Sequence, residues 1–297
     1  MWEFTRGEKK VWILGTFPLL PEGMKFNASG IESRIAQSDV VLGPPGLVVG
    51  ADIGLFRGLT LWPSIHRAKF NPDNKSLRDV LSAATYAKWK VARARFLGGD
   101  DDVDRLRPMY AAYELFKAAK EQAHASMDSA ADPVIERAAR RQNVPRADAR
   151  YRLAIREPKD AVKRFNVSGT DDISCLEDTL DRIEPFVQTA AVRGDAWASG
   201  DLTRLSEFSN SGSELNFCWA RLTNQAIGVQ QGFADIDREM DARWLGELQT
   251  VLASHDTVFT TLAVKELIGS TGLAAALQRD GFQVKAPDVG SPSNANP

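Results

Sequence analysis

The side chains able to do acid–base or metal chemistry are few and scattered. His66, His124 and His255 lie far apart and none sits in a ligand motif, so each is expected at the surface or a helix end. The chain has no H-E-x-x-H, C-x-x-C, Walker A loop, G-x-G-x-x-G or G-x-S-x-G. The run Gly98-Gly99-Asp100-Asp101-Asp102-Val103-Asp104 is rich in carboxylates. It lacks the ligand spacing, central glycine and closing glutamate of an EF-hand loop, so a helix stop followed by a helix start explains it better. Glu266 supports two readings. It is a candidate catalytic acid/base or ligand at the mouth of a site, or an acid favoured by the dipole of a helix it begins. Asp132 and Asp201 share that ambiguity, and helix capping accounts for both. Cys175 and Cys218 permit one disulfide in an oxidising compartment, or two buried thiols. Asn166-Val167-Ser168 matches a glycosylation sequon, which matters only in a eukaryotic secretory setting.

These residues need elements to position them. Lys9 to Thr16 is apolar and closed by Gly15, which predicts a buried strand. A short helix over 29–38 follows, with Ile31 and Ile35 on one face, and then a second strand over 39–42 stopped by Gly43-Pro44-Pro45-Gly46. Strand–helix–strand order predicts a right-handed crossover and parallel pairing. Residues 46–74 carry no clean period, and Trp62 among them is a candidate to line a groove. Helices are predicted over 77–97, 104–125, 133–142, 157–165, 175–192, 201–208 and 213–253, with weak strand alternation over 151–155. Asp132 is expected to cap the third of these, with Pro133 at its first position. Thr257 to Val264 is β-branched and apolar, a core strand; a helix over 265–280 and a last strand over 282–286 close the domain. Residues 287–297 read as a disordered tail. The fold class is therefore α/β and helix-rich, with a mixed sheet formed from the N- and C-terminal ends and a long helical middle. The ends must meet to bury their apolar faces. One domain over 1–286 is expected.

Composition narrows the function. The net charge of −2 and the even spread of lysine and arginine argue against nucleic acid. No apolar run approaches the roughly 20 residues of a membrane span. Strand-like sequence begins at Lys9, too early for a signal peptide.

Several segments together resemble the TraB/PrgY/GumN family, which includes the TIKI metalloproteases. Leu14-Gly15-Thr16 with Leu20-Pro21-Glu22-Gly23 is similar to its first strand and turn, and Ser38-Asp39-Val40-Val41-Leu42 to its second strand. Ser76-Leu77-Arg78-Asp79-Val80-Leu81-Ser82 with Tyr86, Asp132-Pro133-Val134-Ile135 with Ala138, and Trp197 with Gly200-Asp201 and Leu205 continue the likeness. Glu266-Leu267-Ile268-Gly269, Gly272-Leu273 and Gly281-Phe282-Gln283-Val284 resemble its close. The resemblance implies a TraB/GumN/TIKI-like fold and a cleft lined by Gly15, Thr16, Pro18, Gly43, Asp132, Arg221 and Asn224. It also implies two Gly-x-x-His motifs and a glutamate holding a divalent metal. Here the first motif reads Gly15-Thr16-Phe17-Pro18 and the second Ala263-Val264-Lys265-Glu266, while Gly43 or Pro44 stands in the place of the carboxylate. Thr223-Asn224 replaces an Arg-Asn pair, with Arg221 nearby.

Those departures lead to the expectation of a non-catalytic binding or accessory protein with no cofactor, acting on a protein or peptide partner. Self-association into a homo-oligomer is left open. Because family members are commonly exported and begin with a similar tryptophan, a periplasmic or otherwise exported protein with its leader removed is expected, the cytoplasm being the other location. The alternative is a TIKI-type metal-dependent hydrolase that binds manganese, cobalt or zinc through non-standard ligands, with Glu266 joined by Asp132 or His66. A polysaccharide-pathway accessory role rests on the GumN name alone.

Overall fold

The computed structural model describes residues 1–51, 66–155, 172–209, 235–268 and 270–287. Trp62, the helix expected over 157–165, the 166–168 sequon, Cys218, Arg221, Asn224 and the tail beyond Pro287 lie outside these residues.

The strands are β1 Trp2–Arg6, β2 Lys9–Thr16, β3 Leu20–Pro21, β4 Val40–Leu42, β5 Leu47–Ala51, β6 Ala125–Ser126, β7 Arg146–Ala147, β8 Tyr151–Ile155, β9 Thr257–Ala263 and β10 Gln283–Lys285. The helices are α1 Ser29–Ala36, α2 Leu77–Val80, α3 Ala83–Phe96, α4 Pro108–Gln122, α5 Asp132–Gln142, α6 Asp172–Gln188, α7 Ala190–Ser199, α8 Leu202–Phe208, α9 Ile236–Ser254, α10 Val264–Leu267 and α11 Leu273–Arg279.

The main sheet is mixed, in the order β10-β1-β2-β9-β4-β7. The two ends of the chain do meet in it, joined at one edge by β7 from the middle. β1 and β10 are antiparallel to their neighbours, whereas β2, β9, β4 and β7 are all parallel. β2 and β4 do not pair with each other as their order suggested. β9 inserts between them, with Val11 beside Val258 and Val40 also beside Val258. The apolar, β-branched composition of β9 fits a central strand covered on both faces.

One face packs against α9 and α11 through Trp244, Leu248, Val251, Leu273 and Leu277, which meet Phe4, Ile13, Leu42 and Leu262. The other face packs against α1, α5, α7 and α8, with Ile35, Ile135, Trp197 and Leu205 covering Trp12, Val41 and Phe259. A third cluster is helical: Leu77, Trp89, Leu115, Leu176 and Phe186 pack together, and Leu19 from the loop after β2 joins them.

Several predicted helices are divided. The 77–97 helix breaks at Leu81-Ser82 because Ser82 becomes an N-cap, its hydroxyl accepting the Thr85 N–H. A capping box between Ser76 and Asp79 closes the preceding turn. The 175–192 helix is replaced by α6 and α7, which meet at Thr189. The 265–280 helix splits into α10 and α11 around Gly272, which takes φ +92°. Ala131, rather than Asp132, is the N-cap of α5, so Asp132 is the first helical residue and its carboxylate makes no cap. Asp201 does cap α8, accepting the Arg204 N–H at 3.0 Å. In the acidic run, Asp104 accepts from Trp89 Nε1 and Tyr86 Oη and pairs with Arg93, which makes it a staple for α3 rather than a cation ligand.

Thr260, fully buried in the middle of β9, has a hydroxyl with no hydrogen-bond partner among the described residues. Valine has the same shape without the stranded donor. Thr260→Val is expected to stabilise the protein by about 1 kcal/mol, seen as a higher urea midpoint at unchanged slope. A lower midpoint would show that the hydroxyl does have a partner.

Candidate functional site

Four parallel strands end at one edge of the sheet, and an edge of this kind is where open α/β sheets place ligands. Gly15 and Thr16 end β2. Pro18 follows them, exposed; Gly43 follows β4; Glu266 lies in α10, directly after β9. Three adjacent strands thus bring Gly15, Thr16, Pro18, Gly43 and Glu266 to one edge.

Their polar groups are occupied. Trp197 Nε1 donates to the Gly15 carbonyl at 2.9 Å, Trp244 Nε1 donates to the Gly43 carbonyl at 3.1 Å, and Thr16 Oγ1 donates to the Leu262 carbonyl at 3.2 Å. Glu266 Oε2 accepts the Leu273 N–H at 3.4 Å, the first free N–H of α11, and Lys265 Nζ lies 3.7 Å from Oε1. A carboxylate at a helix N-terminus is favoured by the dipole. Glu266 therefore serves two helices: it lies in the first turn of α10 and closes the start of α11.

Asp241, in the first turns of α9, is the acid that the sequence does not single out. Burial first, then the Glu266 charge and then Asp237, push its carboxyl up to about 6, with Lys265 opposing. The folded state therefore holds this proton more tightly than the unfolded chain does. Its stabilising contribution is complete below the ordinary carboxylate range and is lost as the pH rises through about 6. Asp241→Asn is expected to stabilise by about 1 kcal/mol at pH 7.5, a half-buried group being discounted for solvent screening, and to change little near pH 4. Equal urea midpoint shifts at both values would exclude this coupling.

Asp132 lies at the start of α5. Burial and then the Asp128 charge raise its carboxyl above the usual range, against Arg146. The histidines are placed apart: His66 stacks edge-on against Phe70, His124 follows α4, and His255 Nδ1 lies within hydrogen-bond reach of Ser254 Oγ and the Val251 carbonyl at the end of α9. His66 and Asp132 are not brought to Glu266, and among the described residues no group of three or more His, Cys, Asp or Glu could share a metal ion.

Two cavities flank the segment after β2. One of about 300 Å³ is lined by Trp2, Gly15, Phe26, Ile31, Trp197 and Val264. The other, about 750 Å³, lies between residues 20–28 and the start of α5. Leu20, Met24, Phe26, Pro133 and Val134 make its apolar floor, and Glu22, Lys25, Asp128 and Arg137 its charged rim.

With this geometry in view, the comparison with known proteins is decisive for the family. The TraB/PrgY/gumN family model matches residues 1–286. The chain belongs to the TraB/PrgY/GumN family. No curated protein and no solved structure matches it. The family segments fall where the fold has structural work for them: Leu14-Gly15-Thr16 ends a central strand, Trp197 holds the Gly15 carbonyl of that strand, and Gly272 makes the turn around Glu266. Among the described residues no helix is long and apolar enough to cross a membrane. Cys175, buried in α6, is disulfide-bonded.

Proposed function

We propose that this TraB/PrgY/GumN protein is a non-catalytic binding member of its family that takes a peptide or protein segment at the carboxyl edge of its parallel strands. The observation that carries the reading is the donor set at the three strand ends. Pro18 has no side-chain donor or acceptor, Gly43 offers only a carbonyl already taken by Trp244, and Glu266 is engaged at the start of α11. A catalytic divalent site generally needs about three protein ligands and an open position. These residues do not fit such an ion.

The 750 Å³ cavity supports the choice of partner. Its volume lies in the range of ligand sites. Its rim carries two acids and two bases, with no ion pair among the described residues for Glu22, Lys25, Asp128 or Arg137. A segment carrying both signs around an apolar side chain matches that rim; a uniformly charged polymer does not. The disulfide at Cys175 supports an exported, oxidising location. The family match over 1–286 supports one domain over that span.

A TIKI-type hydrolase with non-standard ligands is the second reading. It has one observation in its favour, the raised carboxyl of Asp241, which burial first and then the Glu266 charge hold above the usual range. Elemental analysis decides between the two. The protein is purified without chelator and measured again after excess manganese, zinc or cobalt. Background metal in every condition is the expected result. Near-stoichiometric metal, with a hydrolytic activity lost in Glu266→Ala, would overturn the binding reading.

A further inference from the structure

Leu19 adopts φ +57°, a left-handed conformation that a γ-branched residue rarely takes. Strained backbone of this kind persists only where its surroundings over-determine it, and such residues gather at clamps and switches. Here the surroundings are identifiable. The turn at Leu19 sends neighbouring side chains into different cores. Phe17 and Leu20 pack into the cluster beneath the sheet, while Leu19, 2% exposed, packs with Leu77, Trp89, Leu115 and Phe186 in the helical cluster.

Helix α7 grips the same segment at three points. Arg193, fully buried, donates to the Leu19 carbonyl at 3.4 Å. Its guanidinium is itself fixed: it donates to the Phe186 carbonyl at 2.8 Å and to Thr189 Oγ1 at 2.6 Å, and lies 4.6 Å from the Phe186 ring centre. One residue on, Gly194 lets Pro21 approach so closely that a Cβ there would sit 3.1 Å from Pro21 Cδ. One turn on from Arg193, Trp197 holds the Gly15 carbonyl.

We infer that Leu19 is a latch through which α7 and the helical cluster set the conformation of residues 16–21, the segment that carries Pro18 to the sheet edge and Leu20 and Pro21 to the wall of the larger cavity. The cavity wall is then part of the helical layer in its energetics, although it is continuous in sequence with β2. When Arg193 lets go, Leu19 relaxes to negative φ, its side chain leaves the helical cluster, and the wall that Leu20 and Pro21 give the larger cavity opens.

Amide hydrogen exchange tests this on the full chain. In Arg193→Met, the amides of Phe17, Leu19, Leu20 and Glu22 are expected to exchange at least about tenfold faster, with β2 and β9 unchanged. Loop exchange that is unchanged, or that rises only in step with the whole protein, would overturn the latch. If the variant does not fold, the wild type supplies the test through exchange in graded sub-denaturing urea. The latch requires the Leu19 and Leu20 amides to open with those of α3 and α4; opening with β2 and β9, or opening independent of urea, overturns it.

Discussion

Arg107→Met is expected to destabilise the protein by about 3–5 kcal/mol, the largest loss from any single substitution considered for this fold. Arg107 Nε donates to Asp172 Oδ2 at 2.8 Å, and both side chains are almost fully buried, at 9% and 7% exposure. The pair fastens the start of α4 to the start of α6. The other carboxylate oxygen, Asp172 Oδ1, is buried with no hydrogen-bond partner among the described residues. Removing the guanidinium therefore strands a buried negative charge. The pair itself need not be strongly stabilising, since two charges lose their hydration to make it. The double variant Arg107→Met with Asp172→Leu is therefore expected to recover most of the loss. Urea unfolding of both variants checks this. A double variant no more stable than the single one would mean that Arg107 acts through contacts other than Asp172.

Neither residue stands out in the sequence. They are 65 positions apart, and nothing in the local pattern marks either as buried. The same limit governs the site. Gly15-Thr16 and the 257–264 run were legible because a continuous apolar strand closed by a glycine is a local signal. That β9 lies between β2 and β4, bringing Pro18, Gly43 and Glu266 to one edge, is a long-range pairing that no local pattern carries. Asp241 was missed for the same reason, since its neighbour Glu266 belongs to another helix.

Other misses had local signals that went unread. β1 alternates Trp2, Glu3, Phe4, Thr5 and turns through Gly7-Glu8 into β2, with Arg6 opposite Lys9. Gly7 at φ +59° makes this a two-residue hairpin with glycine at its first turn position. Ser82 and the Gly269-Ser270-Thr271-Gly272 stretch were legible punctuation inside helices drawn too long. β5 hid in a Gly- and Pro-rich stretch. Its partner β8 lies about 100 residues on and pairs with it in parallel from Leu47 opposite Tyr151.

Gly15 gives the second large effect, and its cause is packing at the end of β2. A Cβ built on Gly15 would lie 2.7 Å from Trp2 Cζ3 and 3.1 Å from Val264 Cγ2. The first neighbour is the ring of a core tryptophan. Trp2 is itself 5% exposed, packed with Phe4 and Leu262 on the face covered by α9 and α11. The Gly15 carbonyl also holds Trp197, so a shift of the backbone to escape Trp2 would lengthen that hydrogen bond. Gly15→Ala is therefore expected to cost about 2–3 kcal/mol, the upper part of the overpacking range. The strain should be relieved by making room, so Trp2→Leu added to Gly15→Ala should cost less than the sum of the two single changes. Additive losses would place the clash elsewhere. A Gly15→Ala protein as stable as the wild type would show that Trp2 does not lie against this strand end, and the packing argument for the Gly-Thr turn would fall with it.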